Sequence, residues 1–466
     1  MGKKMRKSRV DGSKLRMYRE EAAFSIEELA GETVKRAAAE KKKPISEKTI
    51  WRIEHGSGAQ PYTISRLADA LGIEPKDLLK EDEPSSTALS ENLYSFEDFI
   101  EDRTKNFVGR KFVFDAIDEF LRNHDSGYFF VRGDPGIGKS SIAAQLVKER
   151  ECIHHFNIRS EGINKANIFL NSICSQLIID YELEYSLLPP EAPEDGRFLN
   201  KLLKEVSSKL NNKEKAIIVI DALDEVDTNS FQSGANMLYL PCDLPKGVFI
   251  IATTRKQPIN MRIECAQDKF DIEHDSDQNL DDIQEYLKHK IKDKGILSYI
   301  KKQKLNQQSF VKHMKKKSQG NFMYLCYVLP EIENGAYKDL GLERLPTGLE
   351  NYYKDHWCRM GMMTKPLPKE KIKIVYILSE AVEPVSRVLL VNFSKEDAMT
   401  VQNVIDGWNQ FLHKQEINNQ MRFSVYHDSF RGFLSKQEIV QAAEVSIEGI
   451  NRIIGDNLYE DLYGDE

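Results

Sequence analysis

The chain has 466 residues, more than one ordinary core serves, and a guide of roughly 100–200 residues per domain implies several domains. Its 41% hydrophobic and 30% charged residues suit a globular chain, and with no uncharged apolar run of about 18 residues a membrane span is not expected. The net charge of −7 is uneven: residues 1–80 hold 18 Lys+Arg against 12 Asp+Glu, a balance of +6, and the remainder carries −13, so the two parts are expected to face different partners. The basic start MGKKMRKSRV leads into no apolar stretch and does not read as a secretory signal, which makes the cytoplasm the expected address. Six cysteines, far apart and without a C-x-x-C pair, argue against both a zinc site and a disulfide framework.

Between Ser13 and Leu79 short helical patterns alternate with caps, the signature of a small all-helical bundle. Ser25 and Glu28 form a capping box, in which hydroxyl and carboxylate each satisfy an orphan amide of the first turn. Ser46 caps a helix over Glu47–His55 that turns Ile50 and Ile53 inward and leaves Glu47, Lys48, Trp51 and Arg52 outward. Gly72 ends a helix over Thr63–Leu71, and Pro75 opens the last one. The string L-R-M-Y-R-E…S-I-E-E-L-A…I-S-E-K-T-I-W-R-I-E-H-G…T-I-S-R-L-A-D-A-L-G-I resembles the Cro/C1-type helix-turn-helix (XRE) family over about 65 residues. The resemblance implies that the helix opened by Ser46 and Glu47 enters a DNA major groove, with Lys48, Trp51 and Arg52 near bases or phosphates. The spacer G-E-T-V-K-R-A-A-A-E-K-K-K-P exceeds the usual three- or four-residue turn, so helix two is either extended or followed by a basic loop in which Lys41, Lys42 and Lys43 grip phosphates. A solvated helix end on a protein-contact domain is the competing reading. A polar, proline-containing stretch, E-D-E-P-S-S-T-A-L-S-E-N-L-Y-S, reads as a linker.

Residues Tyr128–Arg132 form a short apolar run ending at G-D-P-G-I-G-K-S, after which helical spacing resumes at Ser141: strand, loop, helix. In this G-x-x-x-x-G-K-S loop, Gly133, Asp134, Gly136, Ile137 and Gly138 offer backbone amides to phosphate oxygens at a helix N-terminus, completed by Ser141, while Pro135, which has no N–H, shapes the turn. Lys139 reaches the β- and γ-phosphates and Ser140 ligates magnesium. Further on, A-I-I-V-I-D-A-L-D-E-V-D reads as a buried parallel strand ending in carboxylates. Asp221 is placed to serve the magnesium, and Asp224 and Glu225 to orient or deprotonate the attacking water, with Glu225 the preferred base. A strand over Val248–Thr253 brings Arg255 to the same edge, where it would sense the γ-phosphate.

These pieces resemble the NACHT branch of the signal-transducing STAND ATPases, over about residues 99–435. F-V-G-R at Phe107–Arg110 looks like that family's opening motif, which implies that Arg110 lies near the adenine. K-S-Q-G-N-F-M-Y-L resembles the segment that closes over the base, with Phe322 where relatives often have proline. L-P-T-G-L-E-N-Y-Y resembles the approach to a winged helix, and Y-H-D-S-F a histidine motif that implies contact between His427 and the β-phosphate of ADP. The fold class so implied is multidomain: an all-α helix-turn-helix bundle, then an α/β P-loop NTPase with a parallel sheet, followed by helical and winged-helix domains. The expected boundaries are a helix-turn-helix domain at 1–80, a linker at 81–98, a nucleotide-binding domain at 99–262, a helical domain at 263–345, a winged helix at 346–436 and a short helical tail at 437–466. Ile439, Val445, Ile447, Ile450, Ile453 and Ile454 are expected to pack that tail onto the winged helix.

The resemblance implies a switch that holds ADP or ATP with magnesium, turns over slowly, and on a signal opens and self-associates through the nucleotide-binding domain. Two outputs stay open: transcriptional regulation through clustered DNA-binding heads, or an antiphage defence sensor in which the head is an adaptor or nucleic-acid detector and the trigger an unknown ligand or phage component. An enzyme acting on a small substrate is the weaker third reading, since no second catalytic constellation is visible.

Overall fold

The computed structural model describes residues 12–40, 45–54, 59, 61–73, 75–78, 89, 93–211, 214–337, 341–381, 383–417, 420–437 and 448–455. They form two compact units, residues 1–97 with 174–190 and residues 98–173 with 191–466.

In the first unit, α1 (Gly12–Glu21), α2 (Ile26–Glu40), α3 (Glu47–Glu54) and α4 (Pro61–Leu71) are followed by a 3-10 turn at Pro75–Leu78. The capping box is formed: Ser25 N donates to Glu28 Oε2 at 2.7 Å and Glu28 N to Ser25 Oγ at 3.1 Å. The long spacer is taken up by α2, which runs on to Glu40, while Lys41, Lys42 and Lys43 lie outside the described residues. Ser46 caps α3, with Thr49 N donating to its Oγ at 3.3 Å. Ile50 and Ile53 join Leu15, Leu29, Ile64 and Leu67 in the core, and Glu47, Lys48 and Arg52 are exposed; the Trp51 side chain is outside the described set. Gly72 ends α4 at φ +73° with open space around it, so the left-handed backbone, not crowding, calls for glycine.

A two-pronged ion pair ties α1 to α3. Arg19 Nε and Nη2 donate to Glu54 at 2.5 and 3.0 Å, and Arg19 Nη1 donates to Phe24 O at 2.8 Å, with the Glu54 side chain only 3% exposed. Removing one partner strands the other charge, so Glu54→Gln should lower the stability of this unit by about 2 kcal/mol. Amide exchange in α1 and α3 would accelerate, with nucleotide affinity unchanged; unaltered exchange would show the pair to be energetically idle.

The second unit is built on a parallel sheet of β1 (Gly127–Gly133), β2 (Ile153–Phe156), β3 (Ala216–Asp221), β4 (Val248–Thr254) and β5 (Gln267–Ile272) in the order β2-β3-β4-β1-β5. Every residue of β4 and all but one of β1 and of β3 are buried, as strands covered on both faces must be, which explains their unbroken apolar runs. The fifth strand lies beyond the expected domain limit at 262 and pairs with β1 along Tyr128–Gly133. Its sequence, Q-D-K-F-D-I, has no apolar run because it is a largely exposed edge, joined to β1 also through Arg132 Nε to Asp271 Oδ1 at 2.6 Å. Since β4 lies between β1 and β3, the tips of all three strands stand side by side.

Helices α5 (Glu97–Thr104), α6 (Lys111–Asn123), α7 (Lys139–Arg150) and α9 (Arg197–Lys209) belong to this sheet region, and α8 (Ala166–Asp180) is divided between the two units after Ile173. Then come α10 (Asp277–Lys290), α11 (Lys294–Lys302), α12 (Gln307–Ser318), α13 (Phe322–Glu333), α14 (Leu349–Arg359), α15 (Lys369–Glu380), β6 (Val385–Ser386), α16 (Arg387–Ser394), α17 (Ala398–Gly407), β7 (Leu412–Ile417), β8 (Gln420–Val425) and α18 (Asp428–Leu434). Strands β6, β8 and β7 make a small antiparallel sheet. One hydrophobic core runs from Ile283 to Ile450 without a break at the expected 345/346 boundary. Aromatic rings stitch the two sides together: Tyr327 stacks on Tyr352 with centroids 5.5 Å apart and meets Phe411 edge-on at 5.1 Å. Ile450 is buried in that core with Ile453 and Ile454 against it, whereas Ile439, Val445 and Ile447 lie outside the described residues. Among the described residues no helix is long and apolar enough to cross a membrane.

Candidate nucleotide site

The loop between β1 and α7 turns on two glycines, Gly136 at φ +82° and Gly138 at φ +102°, a region closed to most side-chain-bearing residues. Gly138 is the N-cap of α7 and supplies no side-chain acceptor, which leaves the first-turn amides of Lys139, Ser140 and Ser141 directed at an incoming anion. Lys139 folds back on its own loop, Nζ donating to Gly133 O at 2.8 Å and Asp134 O at 3.3 Å, and burial pulls its pKa down. Ile137 is fully buried, and Asp134 is turned to His274, whose Nε2 lies 3.1 Å from Asp134 Oδ2.

The loop is also gripped from the helices that follow the sheet. Asn321 Nδ2 donates to Pro135 O at 3.0 Å and Met323 N to Gly136 O at 3.1 Å, so a Cβ on Gly136 would lie 2.6 Å from Asn321 Oδ1. Arg110, 2% exposed, donates from Nη2 to Ile137 O at 2.5 Å and from Nη1 to Asn279 Oδ1 at 2.8 Å. Burial lowers its pKa to about 10 despite the neighbouring Asp282. The Arg110 guanidinium is thus spent on bracing the loop.

At the tip of β3, Asp221 is buried, which raises its pKa, while the hydroxyls of Thr253 and Ser140 hydrogen-bond its carboxylate and oppose the rise. Thr253 Oγ1 donates at 2.5 Å and itself accepts from Ala222 N at 2.9 Å, so the tip of β4 fixes the Asp221 side chain. Ser140 and Asp221 therefore present a hydroxyl and a buried carboxylate to one point, a hard-oxygen set that suits magnesium. Asp224 is engaged by Arg255, through Nε at 2.8 Å and through the backbone N at 3.1 Å. That leaves Glu225 as the carboxylate available for proton transfer, and burial, reinforced by the charges of Asp224 and Asp221, pushes it up to about 7. The strap after β2 holds this acidic turn: Asn157 Nδ2 donates to Asp221 O at 2.8 Å and Asn164 Nδ2 to Glu225 O at 2.6 Å.

Two adjoining cavities open over the loop. The smaller, about 120 Å³, is lined by Gly136, Lys139, Ser140, Glu225, Arg255 and His427 among others. The larger, about 280 Å³, runs along Phe107, Val108, Arg110, Phe322, Leu329 and Pro330. Phe322 borders both, its ring 4.6 Å from the Arg110 guanidinium and edge-on to Tyr286 at 5.6 Å. His427 caps α18, its Nδ1 accepting from Ser429 N at 3.1 Å. Burial, with Arg103, Lys139 and Arg255 nearby, lowers its pKa to about 3, so the ring is neutral and its hydrogen sits on Nε2. Sequence reading missed Asn321, Thr253 and Arg103. The first two lay inside quoted motifs; Arg103 carried no local signal, because only the tertiary fold brings α5 to the cavity.

A five-stranded parallel sheet whose first strand feeds this glycine-rich loop is a P-loop NTPase fold. The family described as nephrocystin 3, N-terminal, matches residues 114–255, which take in the loop, the Asp221 turn and β4. Among solved structures the chain is similar to a signal transduction ATPase with numerous domains (STAND) protein with a tetratricopeptide repeat sensor from Pyrococcus horikoshii, with 15% identity, a TM-score of 0.37 and coverage of 72% of this chain. It spans 44% of that protein's length. It is also similar to a RuvB mutant from Thermotoga maritima, with 13% identity, a TM-score of 0.25 and coverage of 73% of this chain and 97% of the other. Drosophila ORC bound to DNA is a third, at 12% identity, a TM-score of 0.31 and coverage of 76% and 100%. No curated protein matches the chain.

Proposed function

We propose that the chain is a nucleotide-dependent switch of the STAND/NACHT kind, which holds ADP or ATP with magnesium and converts the difference into the position of its C-terminal region. The observation that carries this reading is the presence of His427, borne by α18, in the wall of the cavity that contains Lys139 and Ser140. A neutral imidazole with Nδ1 occupied has one N–H left, and a β-phosphate oxygen of ADP is the acceptor it suits. Lys139 and the α7 amides hold the phosphates, Ser140 and Asp221 hold magnesium, Glu225 accepts the proton of the attacking water, and Arg255, held by Asp224, faces the γ-phosphate. Magnesium, when bound, supplies neutralising charge to the β- and γ-oxygens. ADP keeps the region that bears His427 docked; ATP favours release, an open form and self-association through the sheet-bearing domain. Slow hydrolysis resets the switch.

His427→Ala should weaken ADP binding about tenfold, the value of one hydrogen bond to a charged group, and weaken ATP binding less. Particle mass measured with ADP and with ATP should differ for the native chain and converge in the variant. Identical masses throughout, with nucleotide bound, would remove the switch and leave only a binding fold.

The proposed output is DNA binding by the N-terminal unit as a helix-turn-helix head, supported by the exposed Lys48 and Arg52 on the Ser46-capped α3 and by the positive balance of residues 1–80. Self-association would multiply weak heads by effective concentration, giving transcriptional regulation. Binding to duplex DNA should weaken steeply with added salt and tighten with ATP. Salt-dependent binding that is indifferent to nucleotide would separate the head from the switch.

A further inference from the structure

Six residues border both cavities: Arg103, Gly138, Ser141, Phe322, Cys326 and Tyr426. They mark the junction where a nucleotide bound with its base in the larger space and its terminal phosphates in the smaller would place its α-phosphate. Arg103 is the one cation among them. Its guanidinium carbon lies 5.0 Å from the Phe99 ring centroid and 4.7 Å from that of Tyr426, and its Nη1 donates to Tyr426 Oη at 2.8 Å. Its Nε is buried and has no hydrogen-bond partner among the described residues. A buried N–H left unmade is unfavourable, and at the edge of a phosphate cavity an anionic oxygen is the partner that would satisfy it. Arg110, by contrast, has its guanidinium committed to Ile137 O and Asn279.

Resting on the switch reading above, we propose that Arg103 is a nucleotide-binding residue that contacts the α-phosphate, and that Tyr426 holds it in the binding geometry. The Phe99 and Tyr426 rings both lie against the guanidinium and the Tyr426 hydroxyl accepts from Nη1, so less ordering remains to be done when the phosphate arrives. Tyr426 directly follows β8 and precedes His427, in the region proposed to undock. Docking therefore presents two phosphate donors together, His427 directly and Arg103 through Tyr426, and the coupling is reciprocal: a bound phosphate tightens the docked state as docking tightens phosphate binding.

The test measures calorimetric binding of ADP and of adenosine, in magnesium buffer, to the full chain and to Arg103→Gln, Arg103→Lys and Tyr426→Phe. Arg103→Gln should bind ADP about tenfold more weakly and adenosine unchanged, because adenosine carries no phosphate. Arg103→Lys keeps the charge and loses the fork, so it should fall between. Tyr426→Phe keeps the ring and loses the hydroxyl, and should weaken ADP about fivefold with adenosine again unaffected. Equal loss of ADP and adenosine in Arg103→Gln would make Arg103 a structural residue and overturn the proposal, as would native ADP affinity in that variant. Native ADP affinity in Tyr426→Phe would overturn the role of Tyr426. Failure of the underlying reading looks different, since the native chain itself would then bind no ADP.

Discussion

Glu225→Gln should slow ATP hydrolysis by about 10³-fold, within the range that a positioned general base contributes, while ADP and ATP still bind. The choice of Glu225 over Asp224 follows from their partners: both Asp224 oxygens are engaged by Arg255, through Nε at 2.8 Å and the backbone N at 3.1 Å. Among the described residues Glu225 accepts only a long bond from Arg159 N, at 3.4 Å, and it lines the phosphate cavity, where desolvation and the charge of Asp224 push it up to about 7. A base works unprotonated, so kcat/KM for ATP, which titrates the free protein, should rise as pH increases through about 7 and then level. In Glu225→Gln that limb should vanish with the activity. Stability runs the other way: the folded carboxyl keeps its proton above the ordinary value of 4.5, so its contribution declines as pH rises from there to about 7. A variant that hydrolyses ATP at the native rate would move the base elsewhere.

What the sequence made legible was local. The loop, the A-I-I-V-I-D strand and the caps at Ser25 and Ser46 each depend on residues within a few positions of one another, and they stand in the structure much as their spacing implies. Strand β5 was hidden because an exposed edge needs no apolar period; Q-D-K-F-D-I reads as a loop until β1 is seen to pair with it. The boundary at 345/346 was drawn from a motif, but the aromatic cluster of Tyr327, Tyr352 and Phe411 ignores it, since packing follows shape and not segment ends. Phe322, which departs from the proline of the resembling family, finds its reason in Arg110, whose guanidinium it faces at 4.6 Å. Arg103 was illegible altogether, being thirty residues ahead of the loop it would serve.

Lys139→Ala should abolish the response to nucleotide without unfolding the chain. The ammonium is buried, and burial lowers its pKa, which means that the charged form is held at a disadvantage in the absence of a ligand. Its two hydrogen bonds to Gly133 O and Asp134 O only partly offset that. Removing the charge should therefore leave the ligand-free thermal midpoint level with, or slightly above, that of the native chain, as expected where a site is built for binding at the expense of stability. The native chain, with ADP and magnesium at about 100 times Kd, should gain about 2.7 kcal/mol by mass action. The variant should gain nothing, because a cavity walled by Asp224 and Glu225 repels polyphosphate once its cation is gone, and ADP affinity should fall by about 10³-fold. A variant with a native midpoint and a native ADP shift would show that Lys139 does not touch the phosphates. A midpoint lowered by many degrees would show instead that its loop bonds hold the fold, and would reverse the assignment of its burial to function.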